Sequence, residues 1–221
     1  MKKLKKLLVA MLTAALVLAI QIPVPVSAWS WSAPSKPQVT YCGYSSNGVL
    51  RVKWKTQTDA DGYLLKYYDL TNGSVKKVYV PENDTSYDIY YHDISRNGNK
   101  VTRVLVSAYS YDYYGNIRYS TATQKYVCSE RTVSKGWSSG SSMRVNWKRL
   151  YGANGYRLYR SKSRNSGYYL YKTLPASATS CVLTGLSGYT YFKLMPYKNV
   201  NGSKWNLPVS GFYIHSYYSY Y

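Results

Sequence analysis

From Arg131 to Tyr221 the chain has no Asp and no Glu, against 13 Lys and Arg. That stretch can supply neither a carboxylate acid/base pair nor a carboxylate shell for a hard cation, which excludes most glycosidase and calcium chemistry from the second half of the molecule. Histidine is scarce as well: His92 and His215 lie far apart, and no Cys-x-x-Cys joins them, so no zinc shell can be assembled. Three cysteines, Cys42, Cys128 and Cys181, are too few for a disulfide scaffold; their odd number leaves at least one unpaired, and a disulfide between Cys42 and Cys128 is open to the chain. Phenylalanine occurs only twice, while tyrosine occurs 29 times. Most of the aromatic surface therefore carries a hydroxyl.

Long hydrophobic runs are missing after the first twenty residues. Lys2, Lys3, Lys5 and Lys6 precede an apolar stretch from Leu7 to Ile20, and Val26, Ser27 and Ala28 follow as small residues. At ~1.5 Å per residue the stretch is too short for a ~30 Å hydrocarbon core, so the expectation is a cleaved signal peptide over 1–28 and no later membrane span. No lipid-acceptor Cys follows the apolar stretch and no apolar tail closes the chain, so release to the extracellular side, or non-covalent association with the cell surface, is expected. Without the four leader lysines, 25 basic residues face nine acidic ones, a net charge of +16. All nine carboxylates precede Arg131, so the first half is near +3 and the second +13, a field that favours polyanionic partners.

The chain repeats itself. At an offset of 93, Leu50-Arg51-Val52-Lys53-Trp54-Lys55 falls on Met143-Arg144-Val145-Asn146-Trp147-Lys148, and Ala60-Asp61-Gly62-Tyr63 on Ala153-Asn154-Gly155-Tyr156. Further on, Val104, Val106, Ala108 and Tyr109 correspond to Phe192, Leu194, Pro196 and Tyr197. One unit of about 95 residues has been duplicated. Within each unit apolar residues alternate with polar ones, as Leu50, Val52 and Trp54 do with Arg51 and Lys53, which predicts half-buried strands. Asn-Gly pairs at 47–48, 72–73, 97–98 and 201–202 mark the turns. The pattern predicts an all-β chain of two tandem sandwiches, at 29–129 and 130–221.

Trp54 and Trp147 on the second strands, Gly62-Tyr63 and Gly155-Tyr156 opening the third, and Leu183-Thr184-Gly185-Leu186-Ser187-Gly188-Tyr189-Thr190-Tyr191 before the sixth resemble the fibronectin type III family, particularly the repeats of secreted bacterial proteins. The resemblance implies a seven-stranded Ig-like sandwich in each unit, with Tyr189 or Tyr191 as a tyrosine corner. It also implies a spacer or interaction role and no catalysis. Pro196 stands where the family has Ala, which implies an irregular sixth strand.

Several motifs invite chemistry. Gly136-Trp137-Ser138-Ser139-Gly140 matches the nucleophile elbow as a string, but no acid follows it and no helix is in prospect. Asp59 and Asp61 could offer oxygens to a cation, yet they read better as turn caps. No cofactor or metal is expected. Two Tyr-rich regions are left as candidate contacts. Tyr111, Tyr113, Tyr114 and Tyr119 flank the hairpin at 112–116, where rigid rings among Gly and Asn resemble the composition of paratopes. In the second unit Arg157, Arg160, Lys162, Arg164 and Lys172 interleave with Tyr159, Tyr168, Tyr169 and Tyr171, a mixture suited to anionic polymers and glycans. Nucleic acid fits that chemistry but not an exported chain. The sequence thus points to a binding or adhesion module for anionic polymers or glycans, or alternatively to a protein–protein module built on the Tyr-rich hairpin, in an oligomeric state it does not define.

Overall fold

The computed structural model describes residues 32–45, 47–70, 73–90, 99–128 and 133–207, with 137 and 214–216 by backbone alone. The expected leader, His92 and the tyrosines from Tyr217 onward lie outside the described residues. Every regular element among the described residues is a strand, and no helix there is long and apolar enough to cross a membrane.

In the first repeat, β1 (Val39–Tyr44), β2 (Leu50–Trp54) and β5 (Ser86–Ile89) form one antiparallel sheet in the order β1-β2-β5. A second sheet runs β4 (Val75–Pro81), β3 (Gly62–Asp69), β6 (Val101–Tyr111), with β7 (Ile117–Tyr119) and β8 (Thr123–Cys128) both paired to β6. The alternation seen in the sequence is the reason the sheets face each other. Leu50, Val52 and Trp54 are buried while Arg51 and Lys53 are exposed, and their apolar side meets Tyr63, Leu65, Val104, Val106 and Ala108. Burying each such side chain contributes about 1.5–3 kcal/mol.

The second repeat copies this arrangement. β9 (Val133–Ser139), β10 (Ser142–Trp147) and β13 (Ser180–Leu183) make the smaller sheet. β12 (Tyr169–Pro175), β11 (Gly155–Ser161), β14 (Thr190–Val200), β15 (Ser203–Asn206) and β16 (Ile214–Ser216) make the larger. The same ring pair centres each core: Trp54 lies 5.2 Å from Tyr63, and Trp147 5.5 Å from Tyr156. Tyr63 Oη accepts the Gln57 N–H at 2.9 Å and Tyr156 Oη the Leu150 N–H at 2.7 Å. These two tyrosines hold the loop before the third strand, whereas Tyr189 is exposed and Tyr191 half-buried.

Each repeat is a seven-stranded sandwich whose last strand is interrupted, giving eight segments. At the break in the first repeat, Ser120 Oγ accepts the Ala108 N–H at 2.9 Å, while the Ser120 N–H donates to the Ala108 carbonyl. This corrects the expectation for Pro196. The Leu207 N–H donates to the Pro196 carbonyl at 2.8 Å, so Pro196 occupies the place of Ala108. At that place the amide faces the interruption rather than a ladder partner. A proline there removes no ladder bond, and β14 runs unbroken from Thr190 to Val200.

No disulfide joins Cys42 to Cys128, which corrects that expectation. Cys42 packs on the first core, whereas Cys128 belongs to the second, alongside Val101, Leu150 and Trp147. Burial pushes the Cys42 thiol up to about 12, with Lys125 pulling the other way, and burial also raises Cys181.

The repeats share backbone. Lys100 and Tyr151 form a parallel bridge, with the Tyr151 N–H on the Asn99 carbonyl at 2.7 Å and the Val101 N–H on the Tyr151 carbonyl at 2.9 Å. Gly152 follows at φ +85°, and a Cβ there would sit 3.3 Å from both Leu70 and Val101.

Candidate functional site

The outer face of each larger sheet is organised around one tyrosine. In the first repeat Gly62 pairs with Tyr109, and the missing Cβ lets the ring lie on the strand: a Cβ at Gly62 would be 2.5 Å from Tyr109 Oη. Tyr109 is only 8% exposed, yet it lies outside the core, on the face opposite Val104, Val106 and Ala108. Alternation with the apolar residues predicts Tyr109 in the core, as it does Tyr63, and the structure corrects this for Tyr109. Its burial comes from neighbouring tyrosines.

Tyr79 and Tyr111 pack edge-on against Tyr109 at 5.7 Å, and Tyr119 at 6.3 Å. Tyr79 and Tyr119 share a hydrogen bond of 2.9 Å between hydroxyls, which with burial pushes the Tyr119 phenol up to about 12. The Tyr109 phenol is raised as well, first by burial and then by nearby negative charge that includes Asp61 and Glu82. Tyr113 and Tyr114, 89% and 76% exposed, stand at the hairpin tip and pack on each other at 5.5 Å. Asp112 ties that turn, accepting the Tyr114 and Asn116 amides at 2.9 and 2.8 Å. The hairpin tyrosines thus divide into a stacked pair at the tip and a pair, Tyr111 and Tyr119, joined to Tyr109.

Beside this cluster is a depression of about 430 Å³ lined by Asp61, Tyr79, Glu82, Asn83 and Tyr109. Sequence reasoning missed Tyr79 and Glu82. Only the β3–β4 register, which sets Gly62 against Pro81 and Leu64 against Tyr79, brings them to Tyr109. Asp61 and Asp59 are occupied in the turn: Asp61 Oδ2 accepts the Tyr111 N–H at 2.7 Å, and Asp59 Oδ2 the Ser35 N–H at 2.7 Å. The Ser35 hydrogen bonds hold the Asp59 carboxyl below its ordinary range.

The second repeat keeps the frame and changes the chemistry. Gly155 lies under Tyr197 as Gly62 lies under Tyr109, with a Cβ placed 2.8 Å from the ring hydroxyl. Asn154 Oδ1 accepts the Asn199 N–H at 3.0 Å, reproducing the Asp61 bond with an amide. The matching registers place Arg157 where the first repeat has Leu64, Thr173 for Tyr79, Asn206 for Tyr119 and Lys204 for Ile117. Arg157 and Lys204 both lie over Tyr197, at 5.5 and 5.4 Å from its centroid, and Lys193 lies 3.9 Å from the centre of Tyr168. Tyr159 joins this face, accepting from Asn206 Nδ2 at 3.0 Å.

The remaining sequence-predicted residues are placed differently. Arg160 donates to the Thr184 and Gly185 carbonyls and lies over Tyr171 and Phe192. Tyr171 packs on the core and bonds Thr184 Oγ1 at 3.1 Å. Tyr169 is exposed on β12, opposite Arg160, and Arg164 is exposed in the following-strand loop, where its carbonyl accepts from Tyr168. The structure brings together Arg157 and Tyr159, and adds Lys193, Tyr197 and Lys204. The Gly-x-Ser-x-Gly string lies in the β9–β10 hairpin, with Ser138 paired to Met143, rather than in a strand-to-helix turn.

No protein-family profile matches the chain, and no curated protein matches it. Among solved structures it is similar to a two fibronectin type-III domain segment from chicken tenascin, at 16% identity over 84% of this chain and 98% of that one, with a TM-score of 0.39. It is also similar to the FN1–FN3 domains of chicken CNTN1, at 16% identity over 84% of this chain and 68% of that one, with a TM-score of 0.33. Both of these solved structures are tandem fibronectin type III segments.

Proposed function

We propose that this chain is an exported, non-catalytic binding module of two domains, 29–129 and 130–221, whose second domain engages polyanionic surface polymers such as teichoic acid or a sulfated glycan. One observation carries the reading. Arg157 and Lys204 converge on the single ring of Tyr197, in a stretch that has no Asp or Glu from Arg131 onward to neutralise them. Two cations held over one ring raise the local potential, and the ring beside them offers a stacking surface for a sugar.

The test is retention of the purified protein on a heparin matrix, as a sulfated glycan, and on isolated cell walls. Elution is expected to follow ionic strength, and the Arg157→Ser, Lys204→Ser double variant to elute at lower salt. Retention indifferent to salt, or to that double variant, sinks the reading. The exposure of Tyr113 and Tyr114 favours a second reading, a protein contact at the hairpin tip. Its mark is salt-independent capture that is lost on Tyr113→Ala with Tyr114→Ala.

A further inference from the structure

We propose that the depression beside Tyr109 in the first repeat is a binding site for an uncharged glycan, separate from the cationic face of the second repeat and opposite to it in chemistry. It is an open depression of about 430 Å³ on the outer face of the larger sheet. The floor is aromatic, from Tyr79 and Tyr109 set edge to face at 5.7 Å. The polar groups are the carboxylates of Asp61 and Glu82 and the amide of Asn83.

The charges decide the class of ligand. Among the described residues, the ion-paired carboxylates are Asp69, Asp88 and Asp112; Asp61 and Glu82 have no cationic partner, although Lys and Arg outnumber Asp and Glu 29 to 9. A carboxylate only accepts hydrogen bonds, so the complementary ligand brings donors. An anionic polymer is repelled by both groups. A lone ammonium or guanidinium leaves most of the volume unfilled and is opposed by the net charge of the chain. A neutral polyol meets every requirement: its hydroxyls donate to Asp61 and Glu82, where charge-assisted bonds are strong, and its C–H faces lie on the rings.

The second repeat shows that the fold does not need these groups. It has Asn154 for Asp61, Thr173 for Tyr79 and Ala176 for Glu82, while keeping the Gly–Tyr pair and the backbone bond that Asp61 makes. Two side chains that the sandwich can do without, Tyr79 and Glu82, thus converge with a charge it does not need at Asp61 on one depression.

The purified protein is titrated with cellotetraose, maltotetraose and chitotetraose in about 1 M NaCl, where the screening length is ~3 Å and polyanion binding is suppressed. Tyrosine ring resonances report occupancy. At least one oligosaccharide is expected to bind saturably, and Tyr79→Ala and Glu82→Ala each to weaken it about tenfold or more. Asp61→Asn, the residue the second repeat uses, is expected to weaken it with the fold intact. Heparin retention at low salt is not weakened in any of the three variants, two of which remove a negative charge, so failure here is distinct from failure of the polyanion reading. The proposal is overturned if none of the three binds at millimolar concentration, or if the variants bind as the parent does. It is also overturned if tetramethylammonium or hexalysine occupies the site in their place.

Discussion

Gly62→Ala tests the foundation of the first-repeat site. The new Cβ would lie 2.5 Å from Tyr109 Oη, 2.6 Å from Cζ and 2.8 Å from the Val80 carbonyl oxygen. Ordinary contact begins at 3.4 Å, so the ring must retreat by about 0.9 Å and the paired β4 backbone by about 0.6 Å. The ring has little freedom, since Tyr79, Tyr111 and Tyr119 pack around it. Overpacking of this kind costs roughly 1–3 kcal/mol, and a central value of about 2 lowers the melting temperature of a domain this size by about 8–16 °C. Adding Tyr109→Ala should recover part of that loss, because the ring clash disappears while the Val80 carbonyl remains. Thermal melts of the parent, both single variants and the double variant form a cycle, with tyrosine near-ultraviolet circular dichroism following the cluster. The reasoning is refuted if Gly62→Ala melts with the parent and leaves the tyrosine signal unchanged.

Two other outcomes follow from named contacts. Tyr156→Phe strands the buried Leu150 amide and should cost about 1–3 kcal/mol in a denaturant titration. Tyr63→Phe should cost less, about 0.5–1.5 kcal/mol, since the Gln57 amide is only part-buried and water can reach it; an equal or larger loss contradicts this. Acid should act first on the first repeat. Hydrogen bonds from Arg51 to Asp88, from Ser35 to Asp59 and from Asn116 to Asp112 hold these carboxyls below their ordinary 3.8. Their folded values lie below the unfolded ones, so the stability they contribute is complete above that value and is lost as pH falls through the lowered range. From Arg131 onward there is no Asp or Glu to titrate. Amide resonances followed during acidification should broaden first between Val39 and Cys128, and earlier loss between Val133 and Asn206 would count against the argument.

Strand positions were readable because one rule governs them: where Leu50, Val52 and Trp54 point in, Arg51 and Lys53 point out, and the offset of 93 carries the rule to Met143, Val145 and Trp147. The same parity places Tyr109 outward once Val104, Val106 and Ala108 are inward. It was obscured because a tyrosine can be buried by other tyrosines on an outer face, and hydropathy does not distinguish that from a core. The depression is less legible still. Asp61 and Tyr109 are 48 positions apart in the sequence, and Glu82 reaches them only through the β3–β4 pairing, which local pattern cannot specify. In the second repeat the interleaving of Arg and Tyr along β11 was plain. What it could not reveal is that Arg157 and Arg160 leave the strand on different sides, one toward Tyr197 and the other toward Tyr171 and the Gly185 carbonyl.

The bridge between Lys100 and Tyr151 bears on how this protein can be dissected. Val101 and Cys128 are buried among second-repeat side chains, with Leu70 and Tyr126 packed alongside. Cutting near residue 129 would open an oily scar on one half and strip the other of part of its lining. Each fragment would then tend to cover the wound by clinging to another molecule, and exposed apolar patches of this kind mimic adhesion. Stickiness measured on a severed half would report the cut, so ligand preferences are better mapped by point substitution in the intact chain.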